Sequence, residues 1–177
     1  MREIRPATSA DLGSLSEIEA AADRVFADFA GFDIGDDARS GEERAAQPGY
    51  LLVVSDAPGE RPVGFAHVLE HPGGAHLEQL SVSPGSARRG HGRALVKAAI
   101  SEAVRRGHGR VTLRTYADVP WNRPFYESCG FEVAPQPEET FFRALLAAEL
   151  EAGLFEHGAR VFMRADAVAV PRNGAAS

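Results

Sequence analysis

Apolar positions along this chain recur at two spacings, and the changes between them mark its elements. Arg2–Pro6 reads as a short first strand. Thr8-Ser9-Ala10-Asp11 has the Ser/Thr-x-x-acid form of a helix capping box. Leu12, Leu15, Ile18 and Ala22 then recur three and four apart, which predicts a helix to about Ala22. Val25, Phe26, Phe29 and Phe32 continue an apolar face and predict a second, short helix. Asp33–Gln47 is polar and glycine-bearing, and reads as a mobile loop with room for one helical turn.

Tyr50–Ser55 is an apolar strand, Ala57–Pro62 a hairpin loop, and Val63–Glu70 the returning partner. Pro72-Gly73-Gly74 turns the chain into a further strand, His76–Ser83. From His91 to about Arg106 the spacing of Leu95, Ala98, Ala99 and Ala103 predicts a helix. Arg105 and Arg106 oppose its negative dipole end, and Gly107 or Gly109 stops it. Val111–Tyr116 is the next strand, and Pro120–Ser128 a short helix with proline early and Gly130 just beyond. Phe131–Ala134 follows as a strand. Glu138 to about Gly153 is an amphipathic helix carrying Phe141, Leu145, Ala148 and Ala152 on one face, and Arg160–Arg164 is the last strand. The order is β-α-α-β-β-β-α-β-α-β-α-β, an α/β chain with a mixed sheet. One domain over 1–166 and a flexible tail over 167–177 are expected.

The join between the strand ending Leu80-Ser81-Val82 and the helix beginning near His91 holds the chain's most specific chemistry. Its sequence is Pro84-Gly85-Ser86-Ala87-Arg88-Arg89-Gly90-His91-Gly92-Arg93. A helix N-terminus presents free backbone N–H groups and the positive end of the helix dipole, which suit a phosphate or pyrophosphate. Gly90 and Gly92 let a bulky anion approach the backbone, and Arg88, Arg89 and Arg93 offer cationic forks for phosphate oxygens. A lone Gly-x-Gly also occurs in turns that merely join strand to helix. The dinucleotide fingerprint wants a third glycine where Leu95 stands, and the P-loop wants Gly-Lys-Ser/Thr, which does not occur.

The flanks of that turn narrow the choice. Leu-x-Val-x-Pro followed by Arg-Arg-Gly-x-Gly-Arg-Ala-Leu resembles motif A of the GNAT superfamily of N-acetyltransferases. Asn122-Arg123-Pro124-Phe125-Tyr126-Glu127-Ser128-Cys129-Gly130-Phe131 resembles that family's late helix and strand, and Ile4–Leu12 its first strand and helix start. The resemblance runs from about Ile4 to Met163. It implies a mixed, mainly antiparallel central sheet with flanking helices, whose strands around Leu80 and Leu113 splay apart. It also implies acetyl-CoA as cofactor, its pantetheine arm pairing with backbone groups of Leu80, Ser81 and Val82. The pyrophosphate would sit on Ala87, Arg88, Arg89, Gly90, His91, Gly92 and Arg93, with Asn122 and Tyr126 beside the cofactor. The chain departs from the family pattern at Ala87, Arg88 and Val119, where Gln or Arg, Gly and Asn respectively are common.

Composition excludes more than it identifies. The 177 residues are 44% hydrophobic and 25% charged, as in an ordinary globular domain. The net charge of −6 argues against a nucleic-acid binder. It is compatible with a cationic acceptor, and equally with an acidic surface kept soluble by its charge. No apolar run approaches a membrane span and no signal peptide opens the chain, so no membrane is expected and the setting is cytoplasmic. The lone Cys129 fits a reducing compartment, and no Cys/His spacing suggests a metal. A homodimer is compatible with the sequence.

Acetyl transfer to an amine needs a neutral amine, a site for the oxyanion and help for the departing thiolate. A lysine-type amine, with a pKa of about 10.4, is neutral roughly once in 2,500 molecules at pH 7, so a base matters. Glu78 is the first candidate and His76 the second. They share strand parity, and a bulge between them and Val82, common in the family, would re-aim one side. By resemblance Tyr126 stabilises the thiolate and the Leu80 N–H binds the oxyanion. His91 is expected to face outward at the helix start. His67, His71, His108 and His157 are read as surface or core residues, and Cys129 as packing. Trp121 and Asn122 either line the cofactor exit or cap the short helix. Phe26, Phe29 and Phe32, with the Asp33–Gln47 loop, would shape the acceptor pocket. The leading function is acetyl-CoA-dependent N-acetyltransfer to a primary amine of a small molecule, peptide or protein. A non-catalytic acyl-CoA-binding module is the competing reading, and a Rossmann-type oxidoreductase a distant third.

Overall fold

The computed structural model describes residues 1–31 and 39–168. Seven strands form one sheet in the order β1-β2-β3-β4-β5-β7-β6. They are β1 (Glu3–Pro6), β2 (Gly49–Ser55), β3 (Gly64–His71), β4 (Gly74–Val82), β5 (Arg110–Tyr116), β6 (Glu132–Val133) and β7 (Arg160–Asp166). Every pairing is antiparallel except β4 with β5. The helices are α1 (Ser9–Ala30), α2 (Gly41–Ala45), α3 (His91–Arg105), α4 (Arg123–Glu127) and α5 (Thr140–Glu151).

The two helices expected between Leu12 and Phe32 are one. No glycine or proline interrupts Leu12–Ala30 except Gly13 in the first turns, so the helix continues to Gly31, whose φ of 74° ends it in the left-handed conformation. Its start is the predicted capping box. The Thr8 N–H and hydroxyl both donate to Asp11 Oδ2 at 2.8 Å, and Arg5 clamps the same carboxylate at 2.6 and 2.9 Å. The expected helical turn in the following loop is α2, capped by Ser40 and Glu43. Phe32 and the rest of 32–38 lie outside the described residues, as does the tail from 169.

Strand alternation divides the core into two faces. Leu52, Val54, Ala66, Val68, Ala75, Leu77, Val111, Leu113 and Met163 pack with Leu95, Val96, Ala99 and Ala103 of α3. Leu51, Val53 and Phe65 point to the other face, against Leu15 and Ile18 of α1. On that second face Phe142 of α5 meets the rings of His76 and Phe162.

Two irregularities in β4 position the site. The register with β3 runs His67↔Gln79 and then Val68↔Leu77, leaving Glu78 as an extra, bulged residue. Hence Ala75 and Leu77 before it, and Leu80 and Val82 after it, all belong to the α3-side cluster although their parity differs. The pairing with β5 covers only Ala75–Leu77 against Val111–Leu113. Beyond Leu77 the two strands part, and β5 goes on to pair with β7 as far as Tyr116. This is the splay that the resemblance implied.

Candidate active site

The split between β4 and β5 exposes a strand edge whose polar groups have a definite direction. Ser83 N–H donates to the Val63 carbonyl on the β3 side at 2.8 Å. Backbone direction alternates along an antiparallel strand, so Ser81 and Gln79 also turn toward β3. Leu80 and Val82 therefore turn their N–H and C=O groups into the split. An extended chain with its own amides, such as a pantetheine arm, can pair there as an added strand does. Ser81, between them, directs its side chain to the second face, where Gln79 Nε2 donates to its hydroxyl at 2.9 Å.

The chain then passes through a short 3-10 helix, Pro84–Ser86, capped by Ala87, into α3. Arg88 (φ 62°) and Gly90 (φ 79°) are both left-handed. Among the described residues, the N–H groups of Arg88, Arg89, Gly90, His91, Gly92 and Arg93 have no acceptor; the first intramolecular bond is Ala94 N–H to Gly90 O at 3.1 Å. Such a run at a helix N-terminus fits a pyrophosphate. The arginine forks are placed differently from the sequence expectation. Arg93 reaches across to α4 and donates to the Ser128 carbonyl at 2.7 Å and hydroxyl at 2.9 Å. Arg89 lies 3.4 Å from Asp56, and only Arg88 stands exposed without a side-chain partner among the described residues.

His91 does not face outward. It is 4% exposed and its Nε2 donates to Asp56 Oδ1 at 2.9 Å. Its position, at the first residue of α3, made outward projection the simple expectation; the β2–β3 corner, folded over the turn, reverses it. Gly92 faces the ring of Phe125, which lies 3.4 Å from where a Cβ would sit. Asn122 precedes α4 without a side-chain cap, and Trp121 is exposed with its ring edge-on to Phe29 at 4.4 Å.

Tyr126 lies in the α3-side cluster between Phe125 and Phe131, with ring centroids 5.1 and 5.9 Å away. Burial, with Cys129 adding and Arg160 opposing, holds its phenol above the ordinary range. It is thus a proton-bearing donor at neutral pH. Burial likewise raises the Cys129 thiol, the opposite of an activated nucleophile.

On the second face the bulge brings Glu78 to the lip of the split. It is partly exposed, 3.6 Å from Arg39 and 4.0 Å from His76 Nε2. His76 itself is 3% exposed, against Thr112 Oγ1 at 2.8 Å and under Phe141 and Phe142. Burial first, then the nearby His71, Arg114 and Arg160, pushes it down to about 3, which leaves it neutral and weakly basic near pH 7. Sequence reasoning missed what surrounds them. Arg44 of α2 donates to both oxygens of Glu19 at 2.8 and 2.6 Å, and to His67 Nδ1 at 3.2 Å, all three being buried. His67 is pushed down to about 4 by burial and then by Arg44 and Arg39. Burial raises Glu19 and Asp23 despite Arg44, and Asp23 and Glu78 raise Glu19 further. One signal was present in the sequence: Leu15, Glu19, Asp23 and Phe26 share one stripe of α1, so two acids interrupt an apolar face. Phe26, at the end of that stripe, stacks on Tyr116 at 5.3 Å.

Comparison with known proteins follows the same lines. The family model described as Acetyltransferase (GNAT) family matches residues 15–131. A mycothiol acetyltransferase of Kocuria rhizophila is 34% identical over 100 residues, covering 53% of this chain and 33% of that enzyme's own length. The crystal structure of the ribosomal-protein-S18-alanine N-acetyltransferase from Escherichia coli superposes with a TM-score of 0.67 at 20% identity, covering 99% of both chains. The PaiA N-acetyltransferase of Thermoplasma acidophilum, solved with coenzyme A, gives a TM-score of 0.65 at 17% identity over 94% of this chain and 99% of that one. Among the described residues no helix is long and apolar enough to cross a membrane.

Proposed function

This chain belongs to the GNAT acetyltransferase family, with acetyl-CoA as its cosubstrate, and on that premise we propose that it acetylates a primary amine of a small molecule or peptide. The observation that carries the choice of an amine is the set of carboxylates on the second face. Asp23 and Glu78 both lie close enough to raise Glu19, and the three carboxylates face two guanidiniums, Arg44 on Glu19 at 2.6 Å and Arg39 by Glu78 at 3.6 Å. A site with surplus negative charge attracts an ammonium group, whereas a hydroxyl acceptor would gain nothing from it.

The residues divide the work by position. The N–H groups from Arg88 to Arg93 hold the pyrophosphate, and Leu80 and Val82 pair with the pantetheine arm. Acetyl-CoA supplies the acyl group as a thioester. Glu78, at the bulge, takes the proton of the incoming ammonium, directly or through a water. The Leu80 N–H, turned into the split, stabilises charge on the carbonyl oxygen. Tyr126 donates a hydrogen bond to the departing sulfur. Its raised pKa keeps the proton on the phenol, so its contribution is a hydrogen bond rather than full proton transfer.

The test is thiol release measured over paired acceptors: lysine-side-chain peptides, α-amino peptides and hydroxyl analogues of the same compounds. Glu78→Gln is expected to lower kcat about 100-fold with a lysine-type acceptor and less with an α-amine, which is neutral more often. Tyr126→Phe should lower kcat while acetyl-CoA affinity stays within about twofold. Faster turnover of the hydroxyl analogues than of the amines would refute amine acetylation.

A further inference from the structure

The turn that offers its N–H groups to the cosubstrate is gripped from two sides by residues outside it. Asp56 stands at the corner between β2 and β3. Its Oδ1 accepts from His91 Nε2 at 2.9 Å, and its Oδ2 from Ser86 Oγ at 3.2 Å and Arg89 Nη1 at 3.4 Å. Ser86 and His91 are both buried. From the other side Arg2, just before β1, donates from Nη1 to the Gly90 carbonyl at 2.7 Å and from Nη2 to the Arg89 carbonyl at 2.9 Å.

We propose that Asp56 and Arg2 are positioning residues for the cosubstrate, setting the direction of the turn's N–H groups before a pyrophosphate arrives. In a trans peptide the carbonyl of one residue and the N–H of the next point in opposite directions. Arg2 draws the Arg89 and Gly90 carbonyls to itself, so the Gly90 and His91 N–H groups point away from it. Asp56 fixes the side chains on either end of the same stretch. Arg88 needs such support, because a non-glycine residue at positive φ is strained unless its surroundings impose it.

A carboxylate is otherwise out of place here. Beside an anion seat its charge repels the ligand, and it is tolerated only where donors compensate it. The His91 hydrogen bond foremost, then Ser86 and Arg89, holds the Asp56 carboxyl below the usual carboxylate range. Its negative charge is thus directed into the turn's own side chains.

The proposal rests on the family's cosubstrate and not on the acceptor, so binding alone tests it. Coenzyme A affinity is measured by calorimetry, and pantetheine, which lacks the pyrophosphate, by competition. Asp56→Ala should weaken coenzyme A about tenfold and Arg2→Gln a few-fold, with pantetheine affinity unchanged for both. Asp56→Asn, which keeps an acceptor for His91, should recover most of the loss. A purely structural role would weaken both ligands equally, and that result, or unchanged coenzyme A affinity in both variants, overturns the proposal. Arg2 is exposed, so Arg2→Gln remains informative even if Asp56→Ala impairs folding.

Discussion

At the turn between β4 and α3, the groups left without an acceptor among the described residues are backbone N–H groups of consecutive residues, Arg88 to Arg93. On the other face of the sheet, the charged cluster is built of side chains drawn from α1, α2, β3 and β4: Glu19, Asp23, Arg44, His67 and Glu78. The first surface suits a ligand every member of the family shares, because backbone donors are available to any sequence that makes the turn. The second can differ with every substitution. It is also less comfortable energetically, for it buries titratable groups, whereas the turn only orients peptide dipoles.

Acid should separate the two regions most sharply. Burial pushes His67 down to about 4 and His76 to about 3 in the folded chain, below their unfolded value of about 6.5. The unfolded chain therefore binds more protons between those values, and stability falls as pH drops through that window. From pH 7 to pH 5 each histidine should cost about 2 kcal/mol, at 1.36 kcal/mol per pH unit. Urea melts at both pH values measure it. His67→Gln or His76→Gln should flatten that loss, whatever it does to stability at pH 7. A pH dependence unaltered in both variants would mean that neither histidine is held neutral.

The turn offers the next contrast, within a single motif. Gly92→Ala places its Cβ at ordinary contact distance from Phe125 and should leave coenzyme A affinity within about twofold, with a stability gain of about 0.5 kcal/mol from the more restricted unfolded chain. Gly92→Val adds methyl groups where Phe125 and the approaching ligand both lie, and should weaken coenzyme A about tenfold. Equal affinities for the alanine and valine variants would show that the backbone at Gly92 is not closely approached.

The smallest effect is expected at Arg88. Its side chain is exposed and held by nothing among the described residues, so Arg88→Ala should change coenzyme A affinity about twofold, more at low salt than at high. A tenfold loss would show that this cation, and not the backbone, dominates the seat.

What could be read from the sequence follows the range of the interactions. The capping box at Thr8 and Asp11, the strand–turn–helix around Gly90, and the apolar stripe of α3 each rest on residues a few positions apart. Their spacing carried them. The joining of two expected helices into α1 was also a local matter, decided by the absence of a breaker before Gly31. The bulge was expected in β4, but only the register with β3 put it at Glu78.

The spacing of residues 84–93 is enough to open a helix with a glycine-bearing turn and leave N–H groups free, because those groups belong to the backbone and need no distant partner. Where its side chains go depends instead on partners far away in the chain. His91 turns inward because Asp56, 35 positions away, accepts a hydrogen bond from its ring; Arg93 leaves the turn for Ser128; and Arg2 reaches Gly90 across 88 positions. Such partners are set by which strands pair and in what register. That in turn is decided by the burial of the whole sheet, and no spacing within a few residues records it.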